Sequence, residues 1–425
     1  MASRVLGLVV AAVFAGGLGW QPRALPFRPL GIASIGQALW VCGTDGGIAV
    51  SLDGGGNWKT VRREVNGRVL LNIAFADARF GYAAGSNGLL LTTGDGGDTW
   101  TPMTTAGDSI LQVSFADAGH GLIRTRNGLF FTVDGGAHWP AVPLEGLGER
   151  FRYSFALAAL DRSHMLVVLK DGPAEFYRQT LLVTTDGGAT WTHSDGPDAL
   201  LASFVTQGGA YWAVGHVDGK KGSVPAAFSS QDGRAWNRAG VNLSACQRQG
   251  CSFCTNQGCL AANGTVARVF KPRVDLRQFP PNEDLTPVWA ATDTAICMAG
   301  DSLQCAPLEP LKHEPSDALL PKPILLHQPP LGSMAAGHAP YCLVGSIDPS
   351  TLASNGRGPY ELHLTIHVAP NGTVESVDVA GAPAPEIADR VRQRVSQWIY
   401  EPTIVDGAAR AAIATASVRA EVQSR

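Results

Sequence analysis

Thr184–Trp191 reads TTDGGATW, and its frame recurs along the chain. SLDGGGNW stands at Ser51–Trp58, TGDGGDTW at Thr93–Trp100, TVDGGAHW at Thr132–Trp139, and a shortened SQDGRAW at Ser230–Trp236. The common pattern is Ser/Thr-x-Asp-Gly-Gly-x-x-Trp. Asp53, Asp95, Asp134, Asp186 and Asp232 mark the copies, roughly 40–50 residues apart, the spacing of one supersecondary unit used repeatedly. Apolar runs such as GLLLT, GLFFT and TLLVT precede the frames and read as strands. Asp-Gly-Gly then reads as a turn, because glycine takes positive φ without steric cost. The carboxylate and the Ser or Thr hydroxyl two residues earlier are expected to accept bonds from N–H groups of the turn. The Trp opens the returning strand and offers a large apolar surface. The octapeptide is thus a self-clasped hairpin and needs no substrate to explain it.

The repeat extends beyond the hairpin. FADARFGYAAGSNGLLLTTGDGGDTW begins at Phe75, FADAGHGLIRTRNGLFFTVDGGAHW at Phe115, and LWVCGTDGGIAVSLDGGGNW at Leu39. Each holds about four strands, the content of a propeller blade. Tyr211 opens a fifth copy, and GCLAANGTVARVF from Gly258 and TAICMAGDSLQC from Thr294 read as two worn ones. The fold class is therefore mostly β, with a six- or seven-bladed β-propeller over residues 23–310. The frames resemble Asp-box (BNR) repeats, and the fuller pattern resembles the propellers of photosystem II stability/assembly-factor-like proteins. That resemblance implies that Asp53, Trp58, Asp95, Trp100, Asp134, Trp139, Asp186, Trp191, Asp232 and Trp236 are structural clasps at blade edges, away from a ligand face. It carries no function, since propellers host enzymes and binding modules alike.

Charged residues make up 16% of the 425, the formal net charge is -3, and there are 50 glycines. This balance suits short strands and tight turns and gives no electrostatic footprint for nucleic acid. Arg4 precedes an apolar run from Val5 to Trp20, shorter than the ~20 residues of a spanning helix. Residues 1–22 read as a signal peptide, leaving no spanning segment after its removal.

The stretch 311–356 is Pro-rich, lacks the repeat, and reads as a linker or strap. Residues 357–425 read as a small α+β domain in the order β-β-α-β. ELHLTIHV alternates as a half-buried strand, Asn371-Gly372 signals a hairpin, and Ile387, Val391, Val395 and Trp398 share a helical face that begins at Pro385. A last alternating strand covers 411–422. The Asn-Gly hairpin, the helix ending in WIYEP at Trp398–Pro402, and the final strand after VDG resemble the C-terminal domain of TonB-family proteins. That family implies capture of a partner peptide by strand addition.

Eight cysteines are expected to meet an oxidising compartment. Cys246, Cys251 and Cys254 have the Cys-x4-Cys-x2-Cys spacing of plant-type iron–sulfur loops, but an exported propeller is a poor host for such a cluster. Zinc lacks a second Cys-x2-Cys pair. Two disulfides among Cys246, Cys251, Cys254 and Cys259 are the favoured reading, with three pairings open. Cys297 and Cys305 read as a hairpin bridge, which leaves Cys42 and Cys342 to tie the first blade to the C-terminal segment. The Asp boxes lack the Asp-x-Asp-x-Asp-Gly frame of a calcium loop, and no metal or cofactor is expected.

No catalytic residue is assigned. The expected function is that of a non-catalytic exported binding or scaffold protein of the bacterial periplasm or cell envelope, engaging a protein or peptide partner. One alternative is a sialidase-type glycoside hydrolase: Arg28, Glu149, Arg152, Tyr153 and Arg178 are the residue types it needs, though not in the required order. Another is a TonB-like adaptor to an outer-membrane partner.

Overall fold

The structure is a computed structural model. It describes residues 21–64, 67–103, 108–125, 128–144, 153–171, 178–197, 199–207, 209–219, 222–238, 253–255, 258–260, 266–267, 288–292, 295–300, 302–307, 342–344, 360–382, 384–405 and 408–420. Alternating apolar runs and glycine turns fold into successive antiparallel meanders. Blade 1 comprises Pro29–Ile35, Ala38–Gly43, Ile48–Ser51 and Lys59–Arg62. Blade 2 comprises Leu70–Phe75, Gly81–Gly85, Leu90–Thr93 and Thr101–Met103. Blade 3 holds Ile110–Phe115, Gly121–Thr125 and Leu129–Thr132. Its outer strand shrinks to a bridge between Phe130 and Ala141, beside Pro140, which has no N–H to give.

Blades 4 and 5 are again four-stranded, beginning at Tyr153–Ala159 and Leu200–Gln207. A three-stranded sheet, Phe253–Thr255, Gly258–Leu260 and Val266–Ala267, follows in the chain. The last sheet joins Val288–Ala291, Ala295–Ala299 and Leu303–Pro307 to the N-terminal strand Gln21–Arg23. First strands neighbour one another around a β-propeller, with Val288–Ala291 beside Pro29–Ile35. The ring is thus closed by strand pairing between the two ends of the propeller segment, with Gln21 opposite Cys305 and Arg23 opposite Leu303. This moves the expected boundary: Gln21 and Pro22 belong to the closing sheet, so the propeller begins before residue 23. Residues 1–20, the bulk of the expected signal peptide, lie outside the described residues.

Neighbouring blades are joined by aromatic side chains. Trp40 of blade 1 stacks on Phe75 of blade 2 at 3.8 Å, and Phe75 meets the edge of Trp100 at 5.9 Å. Tyr82 stacks on Phe115 at 3.5 Å, and Phe115 meets Trp139 at 6.2 Å. The Phe of each Phe-Ala-Asp repeat is therefore the inter-blade contact, a geometry aromatic pairs favour.

The C-terminal module is a three-stranded sheet with Tyr360–Val368 between Val374–Ala380 and Ala412–Ala420. Helix Pro385–Val395 packs on it through Ile387, Val391 and Val395, with Pro385 in its first turn. Trp398 joins this core but lies past the helix end. Cys342–Val344, within the expected linker, pairs with Ile399–Tyr400, so the module recruits chain from upstream of 357; the rest of 311–356 lies outside the described residues. Among the described residues no helix is long and apolar enough to cross a membrane.

Cys297 and Cys305 form a disulfide across the closing sheet. Cys42 is instead a free thiol in the core of blade 1, where burial pushes its pKa up. The expected Cys42–Cys342 tie is therefore absent, because Cys42 points into an apolar cluster. Cys254 and Cys259 are register partners in the small sheet; the pairing of the Cys246–Cys259 cluster lies outside the described residues.

Replacing both Cys297 and Cys305 by Ser is expected to lower unfolding free energy by about 2–3 kcal/mol, the loop-entropy value for so short a loop. Denaturant unfolding checks this; unchanged stability would show that the bridge does not brace the closing sheet.

Candidate functional site

The Asp boxes are clasps of one design. In blade 1 Ser51 Oγ donates to Asp53 Oδ1 at 2.8 Å and accepts the buried Gly55 N–H at 2.8 Å. Asp53 accepts the exposed Asn57 N–H at 2.9 Å, and Trp58 Nε1 donates to Gly55 O at 3.2 Å. Thr93/Asp95, Thr132/Asp134 and Thr184/Asp186 repeat the hydroxyl–carboxylate pair at 2.7, 2.8 and 2.8 Å. The hydroxyl, not the carboxylate, is thus the acceptor of the buried N–H; the carboxylate sits outside and aligns it. The shortened box keeps the same parts with one residue fewer: Gly233 N–H donates to Ser230 Oγ, and Trp236 Nε1 donates to Gly233 O. Trp100 also makes the ring bond, whereas Trp139 and Trp191 bury Nε1 without a partner among the described residues.

These bonds hold the carboxylates ionised. Asp53 is lowered to about 2, first by the Asn57 N–H, and Asp186 to about 2, first by the Thr190 hydroxyl. For Asp95 and Asp134 the Thr99 hydroxyl and the His138 ring hold the carboxyl well below its usual range. Asp232 is lowered too: burial opposes ionisation there but is outweighed by the Ala235 and Arg234 N–H groups.

The second box glycine is where the clasp meets the preceding blade. A Cβ on Gly55 would lie 2.6 Å from Cys297 Sγ, and one on Gly97 2.8 Å from Trp40 Nε1. Both glycines hold φ near the left-handed region, at 90° and 94°. The boxes therefore sit at blade seams.

The opposite end of the blades carries a different surface. There the second and third strands turn through Thr44–Gly46 and Ser86–Gly88, with Asp45 and Asn87 left-handed at φ 56° and 52°. The first strands of blades 1 to 5 each carry a register irregularity at the same place, between Pro29 and Gly31, Leu70 and Asn72, Ile110 and Gln112, Ser154 and Ala156, and Leu201 and Ser203. The extra residue in the first three is Leu30, Leu71 or Leu111. A bulge re-aims its side chain, and these three leucines gather with Val69 around Ile399 of the C-terminal module.

Ile399 is fully buried there. Around it, Arg28 Nη1 donates to Gln397 O at 2.6 Å, and Asn87 Nδ2 donates to Pro402 O at 3.1 Å. The Ser109 hydroxyl donates to Glu401 Oε1, and the Asn87 N–H approaches the same oxygen at 3.3 Å. Asn371 Nδ2 reaches Asp45 Oδ1 at 3.4 Å, while Arg63 pairs with the other Asp45 oxygen at 3.2 Å. The propeller thus holds the turn that ends the helix by the Gln397 carbonyl, and the extended stretch after it by the Pro402 carbonyl, one aliphatic side chain and one carboxylate.

On the propeller side the sequence singles out only Arg28, as a sialidase-type residue; on the module side it singles out Asn371 and the WIYEP stretch, as marks of the C-terminal domain and not as contacts. Here the Arg28 guanidinium binds a peptide carbonyl. Glu149 and Arg152 lie outside the described residues, and Tyr153 and Arg178 belong to strands of blade 4. The signal that marks the surface is the recurrence of Leu30, Leu71 and Leu111 at the repeat spacing.

No family model and no curated protein matches the chain. Solved structures with some likeness include "YCF48 bound to D1 peptide", at 16% identity and TM-score 0.47, covering 68% of this chain and 97% of that one. YCF48 from Cyanidioschyzon merolae matches at 13% identity and TM-score 0.46, covering 68% and 98%. An ancestral GH74 enzyme matches at 11% and 0.37, covering 69% of this chain and 50% of that one. At these values the likenesses carry no argument about what this chain binds.

The clasp makes two predictions. Ser51→Ala should cost about 1–3 kcal/mol by orphaning the buried Gly55 N–H, and more than Asp53→Asn, whose partner is exposed. Equal losses in denaturant unfolding would contradict this order. Because Asp53 and Asp186 are depressed to about 2, their contribution is complete above the unfolded carboxylate value near 4 and is lost as pH falls through about 2. An Asp53→Asn, Asp186→Asn variant should therefore lose less stability than the parent between about pH 4 and pH 2; parallel acid titrations would contradict that.

Proposed function

We propose that this chain is a non-catalytic exported binding protein of the bacterial cell envelope that engages a protein or peptide partner through the bulged-strand face of its propeller. The observation that carries the reading is the seating of the 397–402 stretch, gripped by Arg28 and Asn87 through main-chain carbonyls. Donors aimed at peptide carbonyls recognise polypeptide as such, and an apolar cluster with a hydroxyl beside it adds side-chain selectivity. The apolar N-terminal run after Arg4 and the Cys297–Cys305 disulfide support an oxidising, exported location.

A second reading follows from the C-terminal sheet. Ala412–Ala420 pairs only with Tyr360–Val368 among the described strands, and Ile413 is exposed. Such an edge accepts an added strand, as the resemblance to TonB-family domains implies.

Photo-crosslinking in envelope extract separates the two. A photoreactive side chain placed at Arg68, beside Asn87, is expected to give discrete protein adducts by mass spectrometry. Adducts only from the same side chain at Ile413 would replace the first reading by the second. Adducts from neither position would refute the binding reading.

A further inference from the structure

We infer that the bulged-strand face recognises one kind of segment, an extended aliphatic-x-Glu sequence of a partner protein in which proline is tolerated at the next position, and that Ile399–Pro402 of this chain occupies that site in cis. The inference rests on the binding reading above and names what is bound. Along 398–401 the side chains alternate. Trp398 and Tyr400 turn into the module's own core with Leu364, Val391 and Val395. Ile399 and Glu401 turn out onto the propeller. Only the outward pair touches the site, so a partner needs that pair and is free at the positions between.

Each requirement has a named cause. The bulges of the first three blades aim Leu30, Leu71 and Leu111 at one point, and a branched aliphatic side chain fills it. Two residues on, the carboxylate meets the Ser109 hydroxyl, whose oxygen accepts the Asn87 N–H at 2.9 Å, and the same N–H lies 3.3 Å from the carboxylate. The next residue needs only a carbonyl, taken by Asn87 Nδ2, so proline costs no donor there. Arg28 fixes the other end through the Gln397 carbonyl, which any residue supplies. A strand that meets these contacts in trans must displace the module's own segment, which is held in the same chain and so competes intramolecularly. Partner binding and release of the module are then the same event.

The probe is a fluorescein-labelled octapeptide, Ser-Gln-Ser-Ile-Ser-Glu-Pro-Thr, in which serine replaces the two core-facing aromatics. Its affinity is measured by anisotropy against the full chain. Ile399→Asp, and separately Glu401→Ala, are expected to free the site and bind the probe at least about tenfold more tightly than the parent. Leu71→Asp added to either variant should abolish the gain. Changing the probe's Glu to Gln should weaken it about tenfold. Hydrogen exchange of Leu362, Leu364 and Ile366 amides confirms in each variant that the module stays folded. Equal binding to parent and opened variants would show that the site is not held in cis. No binding to either opened variant, with the module folded, would overturn the recognition pattern. Continued crosslinking from Arg68 in that last case would leave the binding-protein reading intact and remove this inference alone.

Discussion

The ring depends on the absence of a single atom, the Cβ of the second box glycine. Blade n can come close to blade n−1 only because Gly55 and Gly97 leave room for the Cys297–Cys305 bridge and for Trp40. The same position in blades 3 and 4 faces Met103 and Phe131, and in the shortened box Gly233 faces Leu166 and Val183. The retained glycine of that short box is the seam glycine, which explains why one glycine suffices. The Asp–hydroxyl clasp holds this glycine at positive φ and so sets the seam. Aromatic stacking through Phe75 and Phe115 then fills the space the close approach creates.

With the seams occupied by clasps, the proposed binding reading rests on the other ends of the blades. There the first strands bulge at a common position and present leucines, and Asp45 and Asn87 occupy left-handed turns. Bulges and left-handed polar residues together are the irregularities that a functional surface tolerates. The C-terminal module covers this surface with a segment whose inward residues belong to its own core and whose outward residues belong to the propeller. The stretch 397–402, with Asn371 beside it, therefore ties the two folding units together.

Much of the architecture was legible because period and turn chemistry are local. Asp-Gly-Gly and the Trp after it reported the blades, and Ile387, Val391 and Val395 reported the helix face. What was not legible is non-local. Pairing of Gln21–Arg23 with Leu303–Pro307 joins residues at opposite ends of the propeller, which no window reveals. Cys42 was matched with Cys342 by elimination, but its side chain follows the inward alternation of its strand into the blade core. Trp398 was placed on the helix by spacing; the chain leaves the helix after Val395, and the residue reaches the same core from a short extended segment. The carboxylates drew attention over the hydroxyls because charge is conspicuous in a sequence, whereas burial decides which acceptor matters.

The central claim is that the module's segment is seated on the propeller through Glu401 and Ser109. A double-mutant cycle with Ser109→Ala and Glu401→Gln in the full chain tests it most directly by denaturant unfolding. The account predicts a coupling energy of about 0.5–3 kcal/mol, as for residues in contact. Additivity within about 0.3–0.5 kcal/mol would contradict it, since that is how independent sites behave.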